Sequence, residues 1–314
     1  MAGKLQIRQY RPSDKTQWDT CVRNSKNGTF LFLRDYMDYH SDRFIDRSLV
    51  ACDSSGRIVA ALPANLVSGT LHSHQGLTYG GWVLPRRHFS AISMLELWDR
   101  SLEFMRRSDI GQLIYKPVPH IYHILPAEED LYTLFRSGAA LKSRQLSLAI
   151  DLTRPLHHSN TTIRKLKMAQ SATIGTDNRL ETFWAILEHL LREKHNTTPT
   201  HSLREIITLK KLFPDNIILV TAEASGNILA GALFYRTATV MHLQYAASTQ
   251  QGRDADIFPA LYRYVIDNLC HGCSYLDFGT SAAPTTSGFN EGLLQQKHTL
   301  GGRPIACDTY TLDL

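Results

Sequence analysis

The stretch IILVTAEASGNILAGALFYR, residues 217–236, decides how this chain is read. Two apolar, β-prone runs, 217–222 and 228–235, flank Ser225, Gly226 and Asn227, which is the pattern of a β-hairpin. An earlier stretch spells the same thing: Leu49 to Cys52, a turn at Ser54, Ser55 and Gly56, then Ile58 to Ala61. After each hairpin come a further strand or loop, a long amphipathic helix, a short strand, another helix and a closing strand. The closing strands end alike, Ala149-Ile150-Asp151-Leu152 in one copy and Thr311-Leu312-Asp313-Leu314 in the other. A repeat of roughly 150 residues follows, and duplicated mixed modules place their sites in clefts within or between the copies.

The bulk properties fit two modules. At 314 residues the chain is long enough for two domains with separate cores, and 43% hydrophobic against 20% charged residues is a globular composition. No apolar run approaches the ~18 residues that span a bilayer, and the N-terminal residues enter a strand pattern without a signal-peptide core. The expectation is a cytoplasmic protein without integral membrane association. Five scattered cysteines argue against a disulfide framework, and Cys270-His271-Gly272-Cys273 lacks the second pair of a zinc site. His72 and His74 share a strand face but have no third ligand, so no metal is expected. The net charge of +5 lies mostly in the first 152 residues; it suits an anionic small molecule, and without a basic stripe interleaved with aromatics it does not call for DNA. Arg164-Lys165-Leu166-Lys167 is the densest basic cluster, read as a solvated helix face or a phosphate contact.

Along the first module, Ser13 or Asp14 can cap a helix bearing Trp18, Cys21 and Val22, and residues 30–39 read as an aromatic-rich helix. A long helix over 90–107 carries Ile92, Leu95, Trp98, Leu102 and Met105 on one face. A short strand at 113–115, a helix over 127–136 and a strand over 146–152 complete the copy. The polar segment 153–160 with Pro155 sets the boundary, giving modules 1–155 and 156–314. The second copy reads as helices over 161–170, 180–193 and 202–213, with Ser202 and Glu205 as a capping box. Strands over 217–222, 228–236 and 239–247 follow, then a helix over 255–268, a strand over 275–278, a helix over 290–298 and a strand over 305–312.

This order of parts resembles the GNAT-type N-acyltransferase fold. The resemblance implies strands that part at a bulge to pair with the pantetheine arm of an acyl carrier, and a following helix whose first N–H groups meet a pyrophosphate. The place that matches is Tyr245, Ala246 and Ala247, then residues 248–253 with Gly252 and Arg253, although Asp254 stands where the phosphate loop usually has a small residue. Longer blocks, 73–81, 115–123, 126–132, 200–203, 244–247, 277–279 and 290–297, resemble the FemAB-like family of tandem GNAT-type proteins across nearly the whole chain. The implied fold class is mixed α/β (α+β), two tandem GNAT-like modules, each a central mixed sheet flanked by helices. The implied activity is transfer of an acyl or aminoacyl group to an amine, often in cell-envelope assembly. The chain departs from the family pattern at 280–284 and at His298, where glutamates are usual.

Candidate residues follow. Asp277, Glu291 and His120 are the candidate bases, because only a deprotonated amine is nucleophilic. Tyr245, Ala246, Ala247, Gly252 and Arg253 form the donor side. Lys116 at a strand end, Tyr79 and Gly80 with their N–H groups, Tyr122, His201, Asn290 and Lys297 are candidate substrate contacts. His120 and Tyr122 share a side if their segment is extended, and Asn290 also reads as a helix cap. No tightly bound cofactor is expected; acyl-CoA is the favoured donor, aminoacyl-tRNA its rival, and the acceptor a small anion such as a sugar nucleotide. The donor and catalytic cleft is assigned to the second module and the acceptor to the first. A non-catalytic binding module and a partner-binding scaffold are the other classes.

Overall fold

A computed structural model describes residues 5–155 and 172–314. The helix expected over 161–170 and the basic cluster at 164–167 lie outside the described residues. The chain divides into two compact units, residues 1–145 with 306–314, and residues 146–305. The division therefore does not follow the polar segment near 155. It falls inside two long strands, because the last nine residues complete the first unit rather than the second.

In unit 1, β1 (Gln6–Gln9) precedes α1 (Lys15–Arg23), and a short α2 (Arg34–Met37) precedes the hairpin β2 (Leu49–Cys52) and β3 (Ile58–Leu62). β1, β2 and β3 form an antiparallel sheet. Residues 30–39 are not one helix, since Leu33 is extended (φ −67°, ψ 142°) between a 3-10 turn at Phe30–Phe32 and α2. Two short strands, β4 (Asn65–Val67) and β5 (Thr70–His72), lead to α3 (Ala91–Arg107), β6 (Gln112–Tyr115) and α4 (Glu129–Arg136). β5 runs parallel to β6, and the final strand of the chain pairs antiparallel to β6, with Tyr310 opposite Tyr115. Ser90 caps α3 by accepting from Ser93 N. The buried face of α3 is Met94, Leu97, Trp98, Leu102 and Met105; Ile92, read as part of that face, is 78% exposed. His74 follows β5 at φ +69° and stacks on His40, so His72 and His74 do not share a strand face.

Unit 2 begins within β7 (Ala140–Asp151) and continues through β8 (Thr173–Asp177), a strand the sequence did not reveal. Then come α5 (Leu180–His195), α6 (Leu203–Leu212) and the hairpin β9 (Ile217–Ala224) and β10 (Asn227–Arg236). β11 (Val240–Ser248), α7 (Gln250–Asp254), α8 (Phe258–Leu269), β12 (Tyr275–Thr280), α9 (Glu291–Thr299) and β13 (Arg303–Asp313) complete the chain. The strand order β7-β12-β11-β10-β9-β8 is antiparallel at each pairing given except β11 with β12. β10 is buried almost throughout, which explains why its sequence runs apolar rather than alternating. One of its faces joins the core with Leu261 and Val265 of α8; on the other, a Cβ at Gly231 would stand 2.4 Å from the Phe183 ring of α5. The Ser202 and Glu205 capping box forms as read, with Glu205 N donating to Ser202 Oγ at 3.3 Å.

Candidate active site

The candidate site lies in unit 2, where β11 and β12 part. The two strands pair in parallel only over Val240–His242 and Tyr275–Asp277. Beyond that point residues 243–248 of β11 keep β10 as their partner and have no pairing with β12 among the described residues. Gln244 is the extra residue of a bulge, since Leu233 faces Tyr245 while Phe234 faces Leu243. A bulge adds twist and re-aims the strand, and here it leaves one edge of β11 with open backbone groups.

At the last paired rung stands Asp277, 3% exposed. His242 Nδ1 lies 2.9 Å from its Oδ2, Gly279 N donates to Oδ1 at 2.9 Å, and Ser147 Oγ donates to Oδ1. The Gly279 contact exists because β12 is irregular between Asp277 and Thr280, with Gly279 at φ +71°. A side chain there would strain the backbone and bring a Cβ to 3.4 Å from His242 Cε1. A carboxylate on Nδ1 fixes the neutral imidazole with its proton on that nitrogen, which makes Nε2 the basic atom. Asp277 is thus placed to orient a base, and the residue able to take a proton is His242.

Below this pair Lys297, 6% exposed, donates from Nζ to Gly279 O at 2.9 Å and to Thr280 O at 2.8 Å. Burial pulls its ammonium down to about 8, against the opposing pull of Asp277. Lys297 holds the turn that presents Asp277. Asn290 caps α9, its Oδ1 accepting from Leu293 N at 3.0 Å, and Glu291 beside it is exposed.

The donor-side residues also lie in unit 2. Tyr245 OH lies 2.7 Å from His201 Nδ1 and accepts from His201 N at 3.2 Å, while its ring packs edge-on against Trp184 at 5.2 Å. Burial raises the phenol above its usual range, so it stays a neutral hydroxyl. Ala247 is fully buried. Thr249 Oγ1 accepts from Gly252 N at 3.2 Å, and a Cβ on Gly252 would stand 2.3 Å from Leu229 O, so the loop requires glycine. Arg253 donates to Ser248 O at 2.7 Å and to Gln250 Oε1 at 2.7 Å, and Asp254 accepts from Gln250 Nε2 at 2.7 Å, turning that carboxylate onto an amide. Beside this loop is a cavity of about 400 Å³, lined by Ile186, His189 and Leu190 of α5 together with Thr249, Gln250 and Arg253.

The remaining sequence candidates belong to unit 1. Gly80 N donates to Lys116 O at 2.7 Å and Trp82 N to Tyr115 OH at 2.7 Å, so this segment uses those N–H groups inside the fold rather than offering them to an anion. Tyr79 is 2% exposed, and its ring lies 4.6 Å from that of Tyr122, which is equally buried. His120 is exposed on a 3-10 turn, His120–Tyr122, instead of the extended segment that would set it beside Tyr122. Lys116 is half-buried, and its ammonium is lowered by that burial. The structure thus gathers Asp277, Lys297, Tyr245 and His201 with the Gly252 loop in one unit, and leaves Tyr79, Gly80, Lys116, His120 and Tyr122 in the other.

His242 and Ser147 were missed by sequence reading. His242 sits in an ordinary strand pattern, and its partner is 35 residues away; Ser147 is 130 residues from the same carboxylate. A polar residue interrupting an apolar strand, His242 between Met241 and Leu243 or Ser147 between Leu146 and Leu148, was the one signal available.

A family model described as "Acetyltransferase (GNAT) domain" matches residues 159–285. Among curated proteins no sequence matches this chain. Among solved structures, the chain is similar to FemX at TM-score 0.70 and 13% identity, over 98% of this chain and 97% of that one. It is similar to L-PGS from Bacillus licheniformis at TM-score 0.62 and 12% identity, over 97% of this chain and 92% of that one. A tandem GNAT protein from the clavulanic acid biosynthesis pathway aligns at TM-score 0.52 and 14% identity, over 98% of both chains. No helix among the described residues is long and apolar enough to cross a membrane. The chain thus has the tandem GNAT fold that the FemAB-like resemblance implied, and its residues 159–285 match the model of a GNAT acetyltransferase domain.

Proposed function

We propose that unit 2 transfers an acyl group from acyl-CoA to an amine of a small anionic acceptor, such as a sugar nucleotide or another cell-envelope precursor, in the cytoplasm. The observation that carries this reading is the His242 and Asp277 pair at the rung where β11 and β12 separate. The open edge of β11 suits the amide groups of a pantetheine arm, and the loop around Gly252 and Arg253 suits its phosphates.

In this reaction the acceptor amine, as its free base, attacks the thioester carbonyl. A C–N bond forms, the C–S bond breaks, and the proton released by the nitrogen passes to His242 Nε2; CoA leaves as thiolate and takes that proton from the imidazolium, which returns His242 to its neutral form. Asp277 stabilises the imidazolium that forms, and Ser147, Gly279 and Lys297 hold Asp277 in place. Tyr245 with His201 shapes the donor side. Glu291, the other candidate base of unit 2, lies exposed at the start of α9.

The test compares His242→Ala with the parent in steady-state acetyl transfer to a panel of amines. A fall in kcat of about 10²-fold or more with little change in KM for acetyl-CoA is expected, in the range general base removal produces. Unchanged kcat would remove His242 from the reaction. Thermal-shift measurements with acetyl-CoA and with aminoacyl-tRNA test the donor: stabilisation by charged tRNA and none by the thioester would overturn acyl-CoA.

A further inference from the structure

The bulge in β11 opens a strand edge and also changes which way the chain faces. Leu243 pairs with Phe234 and packs with it into the core beside α8. Tyr245 pairs with Leu233 and sets its ring against Trp184 of α5. In a regular strand residues 243 and 245 would share a face. The extra residue turns Tyr245 to the opposite one, where His242 already stands because it adjoins Leu243. Gln244 and Tyr245 together oppose Leu233, as the two residues of a bulge oppose one partner. His242, Gln244 and Tyr245 therefore follow one another on the α5 face of the strand.

The Gln244 amide is only half satisfied. Its Oε1 is buried and has no hydrogen-bond partner among the described residues. The Tyr245 phenol lies 2.7 Å from His201 Nδ1 and accepts from His201 N at 3.2 Å. With its one proton given to that ring nitrogen, the phenol can only accept from Gln244, whose side chain hydrogen-bonds it. The amide nitrogen is thus spent on Tyr245, and the oxygen is turned from it. Buried acceptors are nearly always met in folded proteins, so one left open two residues past the last β11–β12 rung marks the place of a donor that the chain does not supply. Residues two apart on one strand face stand about 6–7 Å from each other, close to the ~6 Å that a nitrogen bonded to both His242 and Gln244 would bridge.

We propose that Gln244 makes the site selective for primary amines, its Oε1 accepting one N–H of the nucleophile while His242 Nε2 takes the other. This rests on the reading of His242 as the base of an acyl transfer. A free primary amine has two N–H bonds and one lone pair. With both hydrogens held, the lone pair is aimed at the thioester carbonyl. As the C–N bond forms, one proton passes to His242 and the other stays on nitrogen as the amide N–H, still donating to Gln244. A secondary amine or a hydroxyl brings a single hydrogen; with that hydrogen on His242, Oε1 stays unmet.

Steady-state acetyl transfer by the full chain tests this, with acetyl-CoA, the best primary amine of the panel and its N-methyl counterpart. The readout is the ratio of kcat/KM for the two amines in the parent, Gln244→Met and Gln244→Glu. Methionine matches glutamine in length, so it keeps the steric barrier to the N-methyl group and removes only the acceptor; the preference for the primary amine falls by about tenfold or more. Glutamate restores an acceptor oxygen and keeps the preference. Gln244→Leu gives the same direction as methionine should that variant prove unstable. A loss shared equally by both amines would make Gln244 a packing residue and overturn the proposal, as would an unchanged ratio. Transfer to no amine of the panel by the parent would overturn the acyl-transfer reading and this inference with it. A shifted ratio in Gln244→Met beside an unaffected His242→Ala would support Gln244 and overturn the base assignment alone.

Discussion

Each unit buries a carboxylate against a ring, and the two pairs are put to different use. In unit 2 Asp277 meets the imidazole of His242 at a rung beyond which the strands separate. In unit 1 Asp130, 4% exposed, accepts from the phenol of Tyr115 at 2.9 Å, and Tyr115 OH in turn accepts from Trp82 N. Three donors keep Asp277 in place. Asp130 has Tyr115 OH and Leu131 N, and burial pushes it up to about 7. The fully buried phenol of Tyr115 is pushed well above its usual range and stays a neutral hydroxyl. One pair thus stands at an open strand edge, as the proposed chemistry requires, and the other is enclosed in the core.

The backbone differs in step. The strand that becomes β11 in unit 2 corresponds in unit 1 to the irregular segment 79–83, which makes only isolated bridges, Ala61 with Val83 and Gly80 with Pro117. A Cβ on Gly80 would stand 1.8 Å from Ser73 O, so unit 1 has closed the cleft that unit 2 keeps.

The sharpest way to break this comparison is to change the two acids to amides. Asp277→Asn should lower kcat by about 10²-fold or more, through loss of the oriented His242 tautomer, and Asp130→Asn should leave kcat close to the parent. Equal losses in both would mean that neither acid has a chemical role. Second come the glycines beside each ring. Gly81→Ala, at φ +90° with a Cβ 2.6 Å from Tyr115 OH, should cost about 2–4 kcal/mol in urea unfolding. Gly279→Ala, at φ +71° and 3.4 Å from His242, should cost about 1–2 kcal/mol and show more in rate than in stability.

The third test uses pH. Asp130 titrates near 7 folded and near ~4 unfolded, so the folded state binds the extra proton between those values. Its contribution is complete below pH ~4, is lost as pH rises, and levels off above about 7; Asp130→Asn should flatten that part of the stability profile measured by denaturant melts. The smallest effects are the matched helix caps. Ser90→Ala on α3 and Ser202→Ala on α6 should each cost about 1 kcal/mol, and only a change at α6 should disturb the neighbouring His201 contact with Tyr245.

Local patterns made much of the fold legible. The hairpins, the long helix before residue 107, the Ser202 capping box and the Asn290 cap all rest on residues within a few positions of one another. Where the reading failed, a distant partner had intervened. Leu33 breaks the helix expected over 30–39. Ile92 points outward because α3 turns its Met94, Leu97 and Trp98 face to the core. At the site, Asp277 and Lys297 were legible as charged residues at element ends. Their roles were not, since those depend on Ser147, His242 and Gly279.

By itself the sequence determined the duplication and the order of elements, because hydrophobic period and turn chemistry are local; the acyltransferase-like frame came from the family resemblance of its motifs. Only the tertiary structure decided which copy keeps an open strand edge, that the final nine residues complete unit 1, and that the side chain beside Asp277 is a histidine. A hydrogen bond between residues 242 and 277, or 147 and 277, has no signature in either neighbourhood; it exists only once a parallel and an antiparallel strand pairing bring three separate segments to one rung.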